Sequence, residues 1–166
     1  MTQLLFTTDP GLEDIVCEEF QEGLAVAELD AGVCQAQPFG RNGHALATHP
    51  ADMDELWPIA REMRSVHHVL RFVHRFDLPP DQERPEPCLE AIAGGVLQVD
   101  IPEMHRAESF RVTANRSGSH PFTSQDVARV AGAALEHHYH CRVDLTGYDV
   151  NVRVDVFDET VIVGVQ

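Results

Sequence analysis

The stretch that decides the fold is residues 110–135, which read FRVTANRSGSHPFTSQDVARVAGAAL. Apolar and polar residues alternate from Phe110 to Asn115, and this period of two predicts a half-buried strand. Glycine and proline at positions 118 and 121 then interrupt the alternation and predict a turn. Thr123 or Ser124 is placed to cap a helix that follows. The stretch therefore predicts a strand, a turn and a helix in that order.

The residues around this stretch complete one small α/β unit. The helix after the turn has a core stripe at helical spacing, formed by Val127, Val130, Ala131, Ala134 and Leu135. Valines alternate with polar residues at 150–156 and recur at 161–165, which predicts two further strands around a turn at 157–159. A helix is predicted before the unit's first strand, over residues 88–97. The unit has no glycine-rich dinucleotide loop and no P-loop.

The first half of the chain predicts a second unit with the order β-α-β-β-α-β, the ferredoxin-like pattern. Asp9 is a candidate N-cap for its first helix, Gly23 a candidate end of that helix, and Asp52 the start of the second helix. The predicted strands are residues 4–8, 25–29, 43–48 and 69–78. The proline-rich segment 78–87 predicts a boundary. We therefore expect an α+β protein with domains at 1–78 and 79–166.

Composition limits the classes of protein to which the chain can belong. It has 166 residues and a formal net charge of −15, which argues against a general nucleic-acid binder. It contains no apolar run of the roughly 18 residues that a transmembrane helix needs, and its N-terminus does not resemble a signal peptide. The four cysteines form no Cys-x-x-Cys pair, which favours free thiols in a reducing cytoplasm. We expect a cytoplasmic protein without a membrane partner.

The negative charge is unevenly distributed along the sequence. Residues 1–66 contain 12 acidic residues and 3 arginines, whereas residues 105–130 contain four arginines and two acids. The predicted strand-to-helix turn lies inside this basic segment. Arginine forks, hydroxyls, histidine and the free N–H groups of a helix N-terminus all suit phosphate or ribose. The predicted RNA-binding residues are Arg111, Asn115, Arg116, Ser117, Ser119, His120, Ser124 and Arg153.

Each of these residues also has a structural explanation. The turn could be a solvated connection that only caps a helix. Phe122 could stack on a base, although its position before the cap favours a hydrophobic staple. Arg153 could extend the basic patch or pair with Asp155 on the same strand face.

Other clusters do not predict a catalytic or metal site. His137 and His140 have i,i+3 spacing, but histidines near a helix C-terminus are favoured by the helix dipole. Asp9, Glu13 and Asp14 are ordinary acids for the first turn of a helix. No nucleophile–base arrangement is discernible. We therefore predict no catalytic residues and no metal ligands in this chain.

Two segments together resemble a known family. Residues 110–135 followed by VDLTGYDVNVRVDVFDETVIVGV resemble a THUMP domain, the RNA-binding module of tRNA- and rRNA-modifying enzymes. The opening LLFTTDPGLEDIVCEEF resembles the start of THUMP-containing guanine-N2 RNA methyltransferases, whose chains begin with a ferredoxin-like domain. The resemblance covers nearly the whole chain. It implies a ferredoxin-like N-terminal domain followed by a THUMP domain.

The resemblance also implies a function and partners. Such enzymes continue into a Rossmann-like domain that binds S-adenosylmethionine and carries an (Asn/Asp)-Pro-Pro-(Tyr/Phe) motif. In this chain Pro79-Pro80 is preceded by Leu78 and followed by Asp81, so the motif is absent. We expect the chain to be the RNA-binding region of an S-adenosylmethionine-dependent guanine-N2 methyltransferase, with tRNA as the expected RNA. We expect no cofactor in these residues and a C-terminal catalytic domain as a partner. The alternatives are a non-enzymatic interaction module, or the THUMP region of a thiouridine-synthesis enzyme or acetylation adaptor.

Overall fold

The computed structural model describes all 166 residues, Met1–Gln166, and divides them into two compact units. The first unit is Met1–Phe72 and the second is Val73–Gln166. The division falls within a strand, upstream of the proline-rich segment at which the sequence predicted a boundary. The predicted domain limits, 1–78 and 79–166, stay a prediction. None of the helices is both long and apolar enough to cross a membrane.

The first unit has the predicted order of elements. They are β1 (Thr2–Thr7), α1 (Glu13–Val26), β2 (Val33–Ala36), β3 (His44–His49), α2 (Met53–Glu62) and β4 (His68–Asp77), and the last of these runs on into the second unit. The strands are antiparallel in the order β2-β3-β1-β4. Both helices contribute to a core that includes Leu4, Phe6, Phe20 and Leu56. The ferredoxin-like pattern is confirmed.

Three local predictions in the first unit are wrong. Residues 25–29, predicted as a strand, belong to the end of α1 and the residues after it, and the strand is Val33–Ala36. Helix α1 does not end at Gly23 but continues to Val26. A Cβ at position 23 would collide with the side chain of Ile59. This glycine therefore permits close packing of two helices. Asp9 is not the N-cap either: Leu12 occupies that position without a side-chain cap.

The prediction that all four cysteines are free is also wrong. Cys17 on α1 and Cys34 on β2 form a disulfide, with 5.4 Å between their Cα atoms, inside the usual disulfide range. The fold brings these residues together from positions 17 apart, so the absence of a Cys-x-x-Cys pair was uninformative. Cys88 and Cys141 are free and buried, and burial raises the pKa of both thiols.

The second unit confirms the predicted strand, turn, helix and valine-rich strands. Its elements are α3 (Pro85–Gly95), β5 (Ser109–Ser117), α4 (Ser124–Tyr139), β6 (Arg142–Val143), β7 (Val150–Phe157) and β8 (Thr160–Val165). Helix α3 begins three residues earlier than predicted, because Pro85 suits the first position of a helix. Strand β5 pairs in parallel with β6 and β7, and β7 pairs antiparallel with β8.

The register of β5 and β7 assigns their side chains to two faces. Phe110 lies beside Val150 and Val112 beside Val152, on the face whose residues join the apolar core with α3 and α4. The predicted stripe of α4 packs into this core: Val127, Ala131 and Leu135 are fully buried, and Val130 and Ala134 are partly buried. The intervening residues of both strands form the opposite, polar face. The strand and the helix on either side of the β5–α4 turn are thus both packed into the apolar core.

Candidate nucleic-acid interface

The turn between β5 and α4 is held against the turn between β7 and β8. The N–H of Asp158 donates to the carbonyl of Ser117 at 3.0 Å. Gly118 adopts a φ of +106°, and a Cβ there would collide with the Asp158 carboxylate. The positive φ therefore favours glycine at this position, and a larger residue would also displace the Asp158 side chain. The two turns form one surface at the end of the parallel strand pair.

Arg116 and His120 are joined on this surface. Nη1 of Arg116 donates to the carbonyl of Gly118 at 2.9 Å and contacts Nδ1 of His120 at 3.3 Å. Nε2 of His120 lies 2.7 Å from the carbonyl oxygen of Asp158. The Arg116 side chain is exposed and the His120 side chain is half-buried. The structure therefore brings together two of the predicted RNA-binding residues and displays a cation at the surface.

Ser117 and Ser119 are exposed in the same turn. Phe122 is only 3% exposed and lies in the apolar core together with Val127. This placement agrees with the hydrophobic staple and leaves no open ring face for a base. The centroid of its ring lies 5.0 Å from the centroid of the His120 ring, so the two rings pack against each other.

Thr123, and not Ser124, caps α4. The Thr123 hydroxyl accepts from the N–H of Asp126 at 3.2 Å, and the Asp126 carboxylate accepts from the N–H of Thr123 at 2.9 Å. This capping box lowers the pKa of Asp126, chiefly through the backbone N–H of Thr123. Ser124 is the first helical residue and is partly exposed. Of the two caps that the sequence left open, the structure has Thr123, and the RNA contact of Ser124 stays a prediction.

Arg111 lies away from Arg116. The two residues are five positions apart on β5, so they point to opposite faces and are separated by about 16 Å along the strand. The guanidinium carbon of Arg111 lies 4.1 Å from the ring centroid of Tyr148, a cation–π contact. Its Nε is buried without a hydrogen-bond partner. The structure does not join Arg111 to the surface around Arg116.

Asn115 and Arg153 meet at a buried carboxylate on the polar face. Asp155 accepts from Nδ2 of Asn115 at 3.0 Å and from Nε of Arg153 at 2.9 Å. The side chains of Arg153 and Asp155 are only 11% and 2% exposed. The ion pair that the sequence left open is therefore formed, and the charge of Arg153 is neutralised locally. Contact of Asn115 and Arg153 with RNA remains a prediction.

Two residues that hold predicted RNA-binding side chains in place were missed by the sequence patterns. Asp158 holds His120 through its backbone carbonyl, which no side-chain pattern encodes. Tyr148 stacks under Arg111 from a loop far along the chain. Gly118 was recognisable as a turn residue, but its contact with Asp158 depends on the pairing of β7 with β5. No group of three or more histidine, cysteine, aspartate or glutamate side chains could hold a metal ion.

Comparisons with known proteins show which proteins the chain is similar to. The THUMP domain family model matches residues 88–166. A tRNA (guanine(6)-N2)-methyltransferase of Thermus thermophilus is 39% identical over 165 residues, which are 96% of this chain and 43% of that protein. One of Methanocaldococcus jannaschii is 32% identical over 167 residues, covering 96% of this chain and 39% of that protein.

A solved structure gives the same result. The crystal structure of TrmN from Thermus thermophilus superposes with a TM-score of 0.72 at 36% identity, covering all of this chain and 45% of that one. The chain thus spans less than half the length of these relatives. Residues 88–166 match the THUMP domain, and the chain is related along almost its entire length to tRNA guanine-N2 methyltransferases.

Proposed function

We propose that this chain is the tRNA-binding region of an S-adenosylmethionine-dependent guanine-N2 methyltransferase. The observation that carries the proposal is the similarity to tRNA (guanine(6)-N2)-methyltransferases along almost the entire chain. Because the chain spans less than half of those proteins, the methyl transfer and its cofactor site are assigned to a catalytic domain outside these residues. The chain itself would recognise RNA and present it to that domain, in the cytoplasm.

The contact surface proposed for RNA is the pair of turns around Arg116. Arg116 is an exposed guanidinium with hydroxyls at Ser117 and Ser119 nearby, in the basic segment of a chain with a net charge of −15. Phosphate contacts of this kind position RNA without reading its sequence. A single cationic surface in an acidic protein makes few phosphate contacts, so the isolated chain should bind weakly. Additional contacts from the catalytic domain would raise the affinity.

A salt titration tests this surface. We expect the chain to bind bulk tRNA in a filter-binding assay with an affinity that falls as salt increases. Each lost phosphate contact should reduce the slope of log K against log[salt] by about 0.7 to 0.9. Arg116→Ala should weaken binding and flatten the slope by this amount, while the thermal midpoint stays nearly unchanged because the side chain is exposed.

Arg61→Ala is the matched control. Arg61 is also exposed, with 62% of its side chain accessible, but it lies on α2 in the acidic first unit beside Glu62. Its removal changes the net charge equally and should leave the slope unchanged. Equal effects of the two substitutions would mean that binding follows net charge and that the turns are not the contact surface. Absence of tRNA binding at low salt would contradict the proposed function itself.

A further inference from the structure

We propose that neutral His120 positions the guanidinium of Arg116 for an RNA phosphate, and that protonation of His120 withdraws this support. His120 thus acts through Arg116 and not through a direct contact of its own. The inference rests on the proposed function, because the ligand is an RNA phosphate.

These hydrogen bonds define the protonation state of His120. A carbonyl oxygen only accepts, so the contact of Nε2 with the Asp158 carbonyl at 2.7 Å places a hydrogen on Nε2. An arginine nitrogen only donates, so the contact of Nδ1 with Nη1 of Arg116 at 3.3 Å requires a bare Nδ1. Both contacts exist together only in the neutral ring that carries its hydrogen on Nε2.

The same contacts orient Arg116. Both of its hydrogen bonds start from Nη1, one to the Gly118 carbonyl at 2.9 Å and the other to His120. The edge formed by Nε and Nη2 is left for a ligand, and such an edge matches two oxygens of a phosphate. A guanidinium held in this way loses less side-chain entropy when it binds. His120 therefore contributes pre-organisation.

His120 is itself firmly supported. Asp158, with a φ of +51°, is joined to Ser117 through its backbone N–H, so the carbonyl that holds Nε2 belongs to a turn tied to β5. The uncharged ring of Phe122 packs beside the imidazole. The charged group in contact with the ring is the guanidinium of Arg116. Asp158, whose carbonyl holds Nε2, and Glu159 are the acidic residues of the β7–β8 turn.

Protonation changes only one of the two contacts. A hydrogen on Nδ1 points at the N–H of Arg116, so an attractive contact becomes a repulsion between two donors and two positive charges. The contact of Nε2 with the Asp158 carbonyl survives, which keeps the ring in place. Arg116 must then move away. The contribution of Arg116 to RNA binding should therefore shrink on acidification, even if a more positive chain binds RNA more tightly overall.

The test measures this contribution as the ratio of the tRNA dissociation constants of Arg116→Ala and the parent chain. It is determined at about pH 7.5 and about pH 5.5, on either side of the usual histidine range. We expect a ratio of about threefold at the higher pH, as for one exposed ionic contact, and a ratio near one at the lower pH. His120→Asn retains an acceptor near the position of Nδ1 without the titration, so in that background the ratio should be equal at both pH values.

The imidazole nitrogens supply a readout that is independent of RNA. Long-range ¹H–¹⁵N correlation spectra of the parent chain should show the hydrogen of neutral His120 on Nε2, and Arg116→Ala should shift the Nδ1 resonance. A ratio that is unchanged or larger at low pH in the parent chain would overturn the positioning role, as would a hydrogen on Nδ1 at neutral pH. If the parent chain binds no tRNA while the spectra match expectation, the contact stands and its assignment to RNA falls together with the proposed function.

Discussion

Two of the strand-to-helix junctions, β1–α1 and β5–α4, use their polar groups in opposite ways. At the β1–α1 junction the helix has no side-chain cap, and Glu13 is buried, with 3% exposure. Its carboxylate accepts from the N–H groups of Gly11 at 2.8 Å and Gly43 at 2.6 Å. At the β5–α4 junction, Thr123 caps the helix and the preceding turn displays Arg116. The first junction satisfies its polar groups internally, whereas the second presents a cation to solvent.

The difference shows what frees a turn for binding. The inward-turned carboxylate of Glu13 occupies backbone donors of two neighbouring turns, at Gly11 and Gly43, which an anion could otherwise contact. When a hydroxyl on a separate residue caps the helix, the basic side chains of the turn are not needed for its stability. Substitutions at the first junction should therefore change stability, and those at the second should divide into effects on stability and effects on binding.

The largest expected effect is on stability, through the buried apolar side chains on the helix of each junction. Phe20→Ala on α1 and Leu135→Ala on α4 both empty fully buried positions, and each should lower the free energy of unfolding by about 2–5 kcal/mol. Urea denaturation followed by circular dichroism measures the loss. Val26→Ala is the control on α1, since that side chain is 86% exposed and its loss should be nearly neutral. Losses below about 1 kcal/mol at Phe20 or Leu135 would contradict the assigned cores.

Glu13→Gln should come next, with a dependence on pH. The hydrogen bond from the N–H of Gly43 is the main cause that lowers the pKa of Glu13 below its usual 4.5. Glu13 therefore contributes stability that is present above its unfolded-state pKa and is lost as pH falls through the lowered folded-state value. Glutamine should reduce stability at neutral pH and make the decline below about pH 4.5 shallower. Thermal melts across this range measure both effects.

Asp14→Asn is the control for that experiment. Asp14 is the exposed neighbour of Glu13 in the same first turn, so its substitution removes a charge without removing the two backbone contacts. Parallel pH profiles for the parent chain and Glu13→Gln, or equal effects of the two substitutions, would show that Glu13 serves only as a charge near the helix dipole.

A smaller effect is expected at the cap of α4. Thr123→Ala should cost about 1 kcal/mol, because the N–H of Asp126 loses its acceptor. Ser124→Ala, one residue later, should change stability by less than about 0.5 kcal/mol, since Ser124 is not the cap. Neither substitution should remove the salt dependence of tRNA binding. A larger loss of stability for Ser124→Ala than for Thr123→Ala would mean that Ser124 is the cap.

The smallest effect is expected at the start of β5. Arg111→Ala should lower stability by about 0.5–1 kcal/mol through loss of the contact with the Tyr148 ring. Because Arg111 lies on the opposite face from Arg116, its substitution should leave the salt slope of tRNA binding unchanged. Tyr148→Ala removes the same contact without removing a charge and should cost a similar amount. A flatter slope for Arg111→Ala alone would place Arg111 in the RNA contact surface.

The sequence by itself determined the order of elements and the identity of the THUMP-domain relatives. The alternation in 110–115 and 150–156 and the stripe at 127, 131 and 135 are local patterns, and local patterns are set by which side chains must be buried. The basic segment was also recognisable, because charged residues can be counted along a sequence without knowledge of the fold. Errors of detail fell where a glycine serves tertiary packing, as Gly23 does against Ile59.

Only the tertiary structure decided how the candidate site is assembled. Arg111 and Arg116 are close in sequence, yet the strand separates them by length and by face. His120 is held by the carbonyl of Asp158, 38 positions away, and Cys17 meets Cys34 because α1 and β2 lie together. Such contacts depend on strand pairing and helix placement between distant segments. A sequence shows which side chains are available. Contacts between residues that are distant in the chain produce no local periodicity, so they cannot be predicted from it.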